Sequence, residues 1–166
     1  MTQSPDSTRR LVVFDLNGTL EARLYNKQSG HLTSELARRA GNYVVYERPH
    51  LQELLSLVFS PEMNCDVAIV TSANRRNAML ILSAIMSSDM IAGLKYIITG
   101  RERKTLSELP ISLGDYRRVL IVDDSLDKVH LNDKQNYYIV PTYGPHLEYG
   151  DNALWTLSRV MDSLLR

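Results

Sequence analysis

Cysteine, net charge and long apolar runs are all scarce in this 166-residue chain, and each shortage excludes something. A single cysteine, Cys65, cannot form an internal disulfide, which fits a reducing compartment or a fold that does without such staples. No Cys-Xaa-Xaa-Cys pair or histidine cluster is present to suggest a zinc site. Lys plus Arg and Asp plus Glu balance at 19 each, so no basic excess draws the chain onto nucleic acid, although a local basic patch remains compatible with that balance. No stretch is long and apolar enough to cross a bilayer. Residues 1–10 lack the apolar centre of a secretory signal and read as a polar tail. The expectation is an intracellular protein, nuclear or cytoplasmic, with neither a membrane nor direct nucleic-acid contact among its partners.

What the chain does contain is an alternation. Short apolar runs rich in β-branched residues lie at 11–16, 43–46, 67–70, 95–99, 118–122 and 137–140. Continuous runs of this length suit strands buried on both faces. Helical spacing fills several of the intervals. Residues 49–59 bring Leu51, Leu54, Leu55 and Val58 onto one face, with Pro49 expected in the first turn. Residues 74–87 carry Met79, Leu80, Leu82, Ile85 and Met86, and 152–165 carry Leu154, Leu157, Val160, Met161 and Leu164. Strands alternating with helices imply an α/β domain over 11–166, a sheet flanked by helices. Residues 21–47 break the rhythm and read as a small insertion, either a hairpin or a hairpin with a short helix.

Polar residues stand at the ends of several of these runs. Val12-Val13-Phe14 leads into Asp15, followed by Leu16-Asn17-Gly18-Thr19. That pattern puts a carboxylate on the rim of a sheet, where open α/β sheets bind ligands. Val70 is followed by Thr71 and Ser72 just ahead of a helix, where hydroxyls and a helix N-terminus favour an anion. Lys104 can offset phosphate charge. Asp123 and Asp124 follow the 118–122 run, and paired acids there are costly unless a cation or partner meets them; magnesium prefers such oxygen ligands. Taken singly, Thr71 and Ser72 read as helix caps and Lys104 as a surface lysine. The 120–125 segment also resembles the opening strand of a receiver domain, but only about 40 residues follow it, too few for the rest of that fold.

In this order, the segments resemble the haloacid dehalogenase superfamily. More narrowly they resemble its carboxy-terminal-domain phosphatase branch, which includes the nuclear LIM interactor-interacting factors. The residues that carry the likeness are Phe14-Asp15-Leu16-Asn17-Gly18-Thr19-Leu20, Arg48-Pro49, Thr71-Ser72, Lys104 and Val122-Asp123-Asp124-Ser125. The resemblance implies a Rossmann-like three-layer α/β fold with a central, mostly parallel sheet and no large cap. It implies a phosphatase in which Asp15 attacks phosphorus to form an aspartyl-phosphate. Mg2+ would be held by Asp15, the backbone carbonyl of Asn17, Asp123 and Asp124, and the phosphoryl oxygens by Thr71, Ser72 and Lys104. Family substrates are phosphoserine and phosphothreonine proteins, including the RNA polymerase II tail, so the implied partner is a phosphoprotein.

Two departures stand against that pattern. Active members carry a second aspartate where this chain has Asn17, and that carboxyl serves as acid and base. An amide does neither at neutral pH. Either Asn17 is an engineered substitution that traps substrate in an otherwise active enzyme, or it is natural and the chain is a slow enzyme or a pseudophosphatase that serves as a protein-binding module. The interval between Thr71 and Lys104 is also compact, mostly one helix and one strand, so the substrate-gripping β insertion that the small phosphatases carry there is reduced, which weakens any expectation of RNA polymerase specificity. Arg75, Arg76, Arg101 and Arg103 lie near the expected rim, either to meet an anionic substrate or as a solvated surface.

Overall fold

The computed structural model describes residues 8–25, 35–148 and 150–166. Its centre is a parallel sheet built from β1 (Arg10–Phe14), β5 (Cys65–Val70), β6 (Tyr96–Ile98), β7 (Arg118–Asp123) and β8 (Tyr137–Ile139). The strand order is β6-β5-β1-β7-β8. The chain therefore builds outward from β1 on one side, then crosses to build on the other. The carboxyl ends of β5, β1 and β7 meet where the order reverses, which is where sheets of this kind leave a crevice.

Residues alternate across the pleat, and each face has its own core. Val12, Phe14, Val67, Ile69, Leu120 and Val122 point to a face covered by α1 (Leu51–Val58), α2 (Arg75–Ile85) and α4 (Ala153–Leu164). Leu11, Val13, Ala68, Val70 and Ile121 point to the other, covered by Leu106, Leu109 and Ile111. This second covering layer runs through short 3-10 turns at Leu106–Glu108 and Leu113–Asp115. Strands buried on both sides account for the unbroken apolar runs.

Five local expectations are corrected. The 43–46 run is not part of the parallel sheet. It belongs to β4 (Tyr43–Glu47), the middle strand of an antiparallel sheet with β2 (Glu21–Tyr25) and β3 (Ala37–Ala40). The described part of 21–47 is thus three-stranded rather than a single hairpin, and residues 26–34 lie outside the described residues. Pro49 precedes α1 instead of entering its first turn, because His50 is the N-cap. Between Thr71 and Lys104 a further short helix, α3 (Ser88–Gly93), follows α2. Leu80, at a helical position read as apolar, is 37% exposed, while Ala78 and Ile81 face the core instead. No helix among the described residues is long and apolar enough to cross a membrane.

The first strand begins slightly ahead of the expected boundary. Arg10 is already in β1, and the Arg9 carbonyl accepts a hydrogen bond from the Arg117 amide (2.8 Å). Residues 1–7 lie outside the described residues.

Candidate active site

Asp15 follows the last residue of β1, and its amide donates to the Val122 carbonyl of β7 (3.0 Å). The register Phe14↔Val122 and Phe14↔Ile69 sets Asp15 level with Asp123 on one side and Val70 on the other. Three neighbouring strands therefore end together, one carrying the Thr71 loop and two carrying acids.

A buried ammonium joins two of these acids. Lys104 Nζ donates to Asp15 Oδ1 (3.0 Å) and to Asp123 Oδ2 (2.6 Å), with its side chain fully buried. The surface-lysine reading of Lys104 therefore does not hold. Thr19 Oγ1 donates to Asp15 Oδ2 (3.0 Å) and lies 3.5 Å from Asp124 Oδ1. Thr142 Oγ1 donates to Asp124 Oδ2 (2.8 Å), and the Ser125 amide donates to Asp123 Oδ1 (3.0 Å). Ligand oxygens of Asp15, Asp123 and Asp124 lie within 4.8 Å of one another, an arrangement that could hold a metal ion. An all-carboxylate donor set suits a hard divalent cation such as Mg2+ rather than zinc.

Burial lifts the Asp15 carboxyl above its ordinary range. Lys104 pulls the other way, the Asp123 charge adds to the rise, and Lys128 also opposes it. The nucleophile candidate thus depends on the cations around it to be ionised.

The turn that follows Asp15 is shaped by glycine and gripped by arginine. Gly18 has φ +81°, and a Cβ built there would lie 2.3 Å from Asp124 Oδ2. Only glycine allows both the left-handed backbone and that close approach. Arg48 is completely buried and donates through Nη1 to the Gly18 (3.2 Å) and Thr19 (3.1 Å) carbonyls. Its Nη2 reaches the Pro141 carbonyl (2.8 Å). The Arg48-Pro49 element noted in the sequence thus supports the loop that carries the candidate chemistry.

The remaining expected residues are placed less uniformly. Thr71 is buried, and its Oγ1 accepts from the Ala73 amide (3.1 Å) with its own proton still to give. The cap of α2 is Asn74, whose side chain accepts from the Asn77 amide, so neither Thr71 nor Ser72 caps the helix. Asn17 and Ser72 are exposed, and no hydrogen bond or ion pair links either side chain to the acids among the described residues. The Gly100 and Arg101 amides donate to the Ala73 and Thr71 carbonyls (2.9 and 3.0 Å), which stitches the two loops together. Arg75, Arg76, Arg101 and Arg103 are all exposed.

Sequence reading gave Thr19 no role of its own and passed over Thr142 and Lys128. Thr19 had a signal, a hydroxyl in the turn after Asp15. Lys128 had a fainter one, a cation in the segment after the paired acids; its Nζ lies 3.9 Å from both Asp15 Oδ1 and Asp123 Oδ1. Thr142 had none.

Among solved structures, the RNA polymerase II CTD phosphatase Fcp1 is similar at 14% identity and a TM-score of 0.56, covering 92% of this chain and 49% of that one. A variant of the fission yeast enzyme bound to beryllium fluoride is similar at 12% identity and a TM-score of 0.56, covering 93% of this chain and 50% of that one. This chain therefore spans about half the length of either structure, and at such identity the likeness speaks to fold alone. Among curated protein sequences none matches significantly. The model of one family, described as NLI interacting factor-like phosphatase, matches residues 10–166, and with nearly its whole length so matched the chain belongs to that family.

Proposed function

We propose that this chain is a Mg2+-dependent phosphoprotein phosphatase acting on phosphoserine or phosphothreonine through an aspartyl-phosphate, and that Asn17 makes it slow. One observation carries this reading: Asp15, at the end of β1, is met by Lys104 at 3.0 Å and shares its surroundings with two further acids. Asp15, Asp123, Asp124 and the backbone carbonyl of Asn17 would hold the metal. When bound, the ion supplies positive charge against the phosphoryl oxygens.

The chain's own residues account for the rest. Thr19 and Lys104 fix the two oxygens of Asp15, so the carboxylate is oriented before substrate arrives. Asp15 attacks phosphorus, and the bond from phosphorus to the serine or threonine oxygen breaks. Thr71, Ser72 and Lys104 receive the phosphoryl oxygens. The departing oxygen takes its proton from water, since the Asn17 amide has none to give at neutral pH. Water then cleaves the aspartyl-phosphate, returning the Asp15 carboxylate and inorganic phosphate. Losing general acid and base help lowers the rate by ~10²–10⁴.

The test is phosphate release from an aryl phosphate ester with Mg2+ present. Asp15→Ala or chelation should abolish it, and Asn17→Asp should raise turnover about tenfold or more. No gain from Asn17→Asp in a folded protein would sink the proposal. A second reading rests on the same amide, which cannot transfer protons: the chain is a phosphoprotein-binding module. Phosphopeptide retention without phosphate release, in both the chain and Asn17→Asp, would favour it.

A further inference from the structure

The two ammonium groups facing Asp15 are not equivalent. Lys104 is sealed in and spends N–H bonds on Asp15 Oδ1 and Asp123 Oδ2. Lys128 approaches the same Asp15 Oδ1 and the other oxygen of Asp123, each at 3.9 Å. That is ion-pair range but too long for a hydrogen bond. Its side chain is 29% exposed, and its Nζ has no hydrogen-bond acceptor among the described residues. The ammonium is therefore held at the nucleophile by charge alone, with its three N–H groups unspent toward solvent.

Its position is not that of a loosely attached surface lysine. Lys128 closes the 3-10 turn Leu126–Lys128, directly after the paired acids. The Tyr137 hydroxyl, on β8, lies 2.7 Å from the Lys104 carbonyl and 3.4 Å from the Lys128 carbonyl. One phenol thus ties together the backbones that deliver both cations.

Resting on the phosphatase reading above, we infer that Lys128 is a phosphoryl-oxygen ligand, the residue that takes hold of the phosphate dianion from the open side of Asp15. Lys104 gives two of its N–H bonds to Asp15 and Asp123 and so also positions them, which leaves it one donor for the phosphoryl group. Donor capacity favours this division. Lys104 already gives N–H bonds to two carboxylates, whereas Lys128 has unspent donors that can bond a phosphoryl oxygen directly.

The competing role is shielding, in which Lys128 only steadies the acids. Inorganic phosphate binding separates the two, measured calorimetrically at saturating Mg2+ on the full chain, Lys128→Met and Lys128→Arg. Thermal unfolding of each is recorded alongside. Lys128→Met should weaken phosphate binding roughly tenfold, the loss of one charge-assisted hydrogen bond, and Lys128→Arg should recover most of it. If Lys128→Met binds phosphate like the parent chain, whether or not its melting temperature falls, the role is shielding and the inference is overturned while the phosphatase reading stands. If the parent chain itself binds no phosphate, the phosphatase reading and this inference fall together.

Discussion

Arg48 and Asp151, 103 residues apart in the chain, form a two-pronged ion pair: Nε to Oδ1 at 2.9 Å and Nη2 to Oδ2 at 2.8 Å. Both side chains are buried, at 0% and 7% exposure. The same guanidinium holds the Gly18, Thr19 and Pro141 carbonyls and lies over the Tyr143 ring, 5.4 Å from its centre. One planar cation therefore braces the turn after Asp15 against the segment that leads into α4.

Removing that brace should be expensive. Arg48→Met leaves the Asp151 carboxylate buried without its partner and frees three carbonyls, a loss of roughly 3–5 kcal/mol. Arg48→Lys keeps the charge but not the fork, so it should not restore stability. Replacing both partners, as Arg48→Met with Asp151→Leu, should recover part of the loss, because the stranded charge is gone. Urea unfolding midpoints of the four proteins check this order.

Gly18→Ala should damage the metal-ligand cluster through a collision. The new methyl would sit 2.3 Å from Asp124 Oδ2, an oxygen already held by Thr142 at 2.8 Å. Asp124 must then turn away and lose that bond. The variant should bind Mg2+ more weakly and lose roughly 1–3 kcal/mol of stability. In an Asp124→Ala background the collision with the carboxylate disappears, and Gly18→Ala should cost the backbone strain of about 1–2 kcal/mol plus a small adjustment of the Thr142 methyl, 3.2 Å from the new Cβ. Magnesium titration and a double-mutant unfolding cycle measure both effects.

Glu21 should make stability fall as pH rises. It is completely buried at the start of β2, bonded to Arg23 at 2.7 Å through Oε1, while Oε2 has no partner among the described residues. Burial raises its carboxyl from 4.5 to about 7 despite the pull of Arg23, with the Asp15 charge adding to the rise. Between these values the folded chain keeps a proton that the unfolded chain has released. Raising the pH through about 7 therefore removes stability that is fully present below 4.5. The stability lost is about 3 kcal/mol. Glu21→Gln should flatten the pH dependence of unfolding between pH 5 and 7.5 by about that amount. The slope is the readout, since the amide also leaves Arg23 without its counter-charge.

Several of these relationships could be read before folding, and others could not. The apolar runs that became β1, β5, β6, β7 and β8 were legible because a strand buried on both faces has no polar positions to interrupt it. The Leu51, Leu54, Leu55, Val58 stripe announced α1 for the same kind of reason: periodicity records which face of an element is buried. Asp15 and Asp123 were legible as rim residues because each ends such a run. The 43–46 run misled because a short apolar stretch says that it is covered, not by which sheet. Val45 and Tyr46 are buried, yet β4 pairs antiparallel with β2 and β3.

The sequence by itself determined an α/β domain, the strands that would carry chemistry, and the chemical types at their ends, with an amide at Asn17. These follow from local patterns and from the covalent identity of side chains. Only the tertiary structure decided that Lys104 is sealed between two acids, that Lys128 faces the same carboxylate with its donors unspent, and that Arg48 reaches Asp151. Such pairings depend on strand order and register, which bring distant residues within a few ångströms and strip them of water. No periodicity in the chain encodes that proximity.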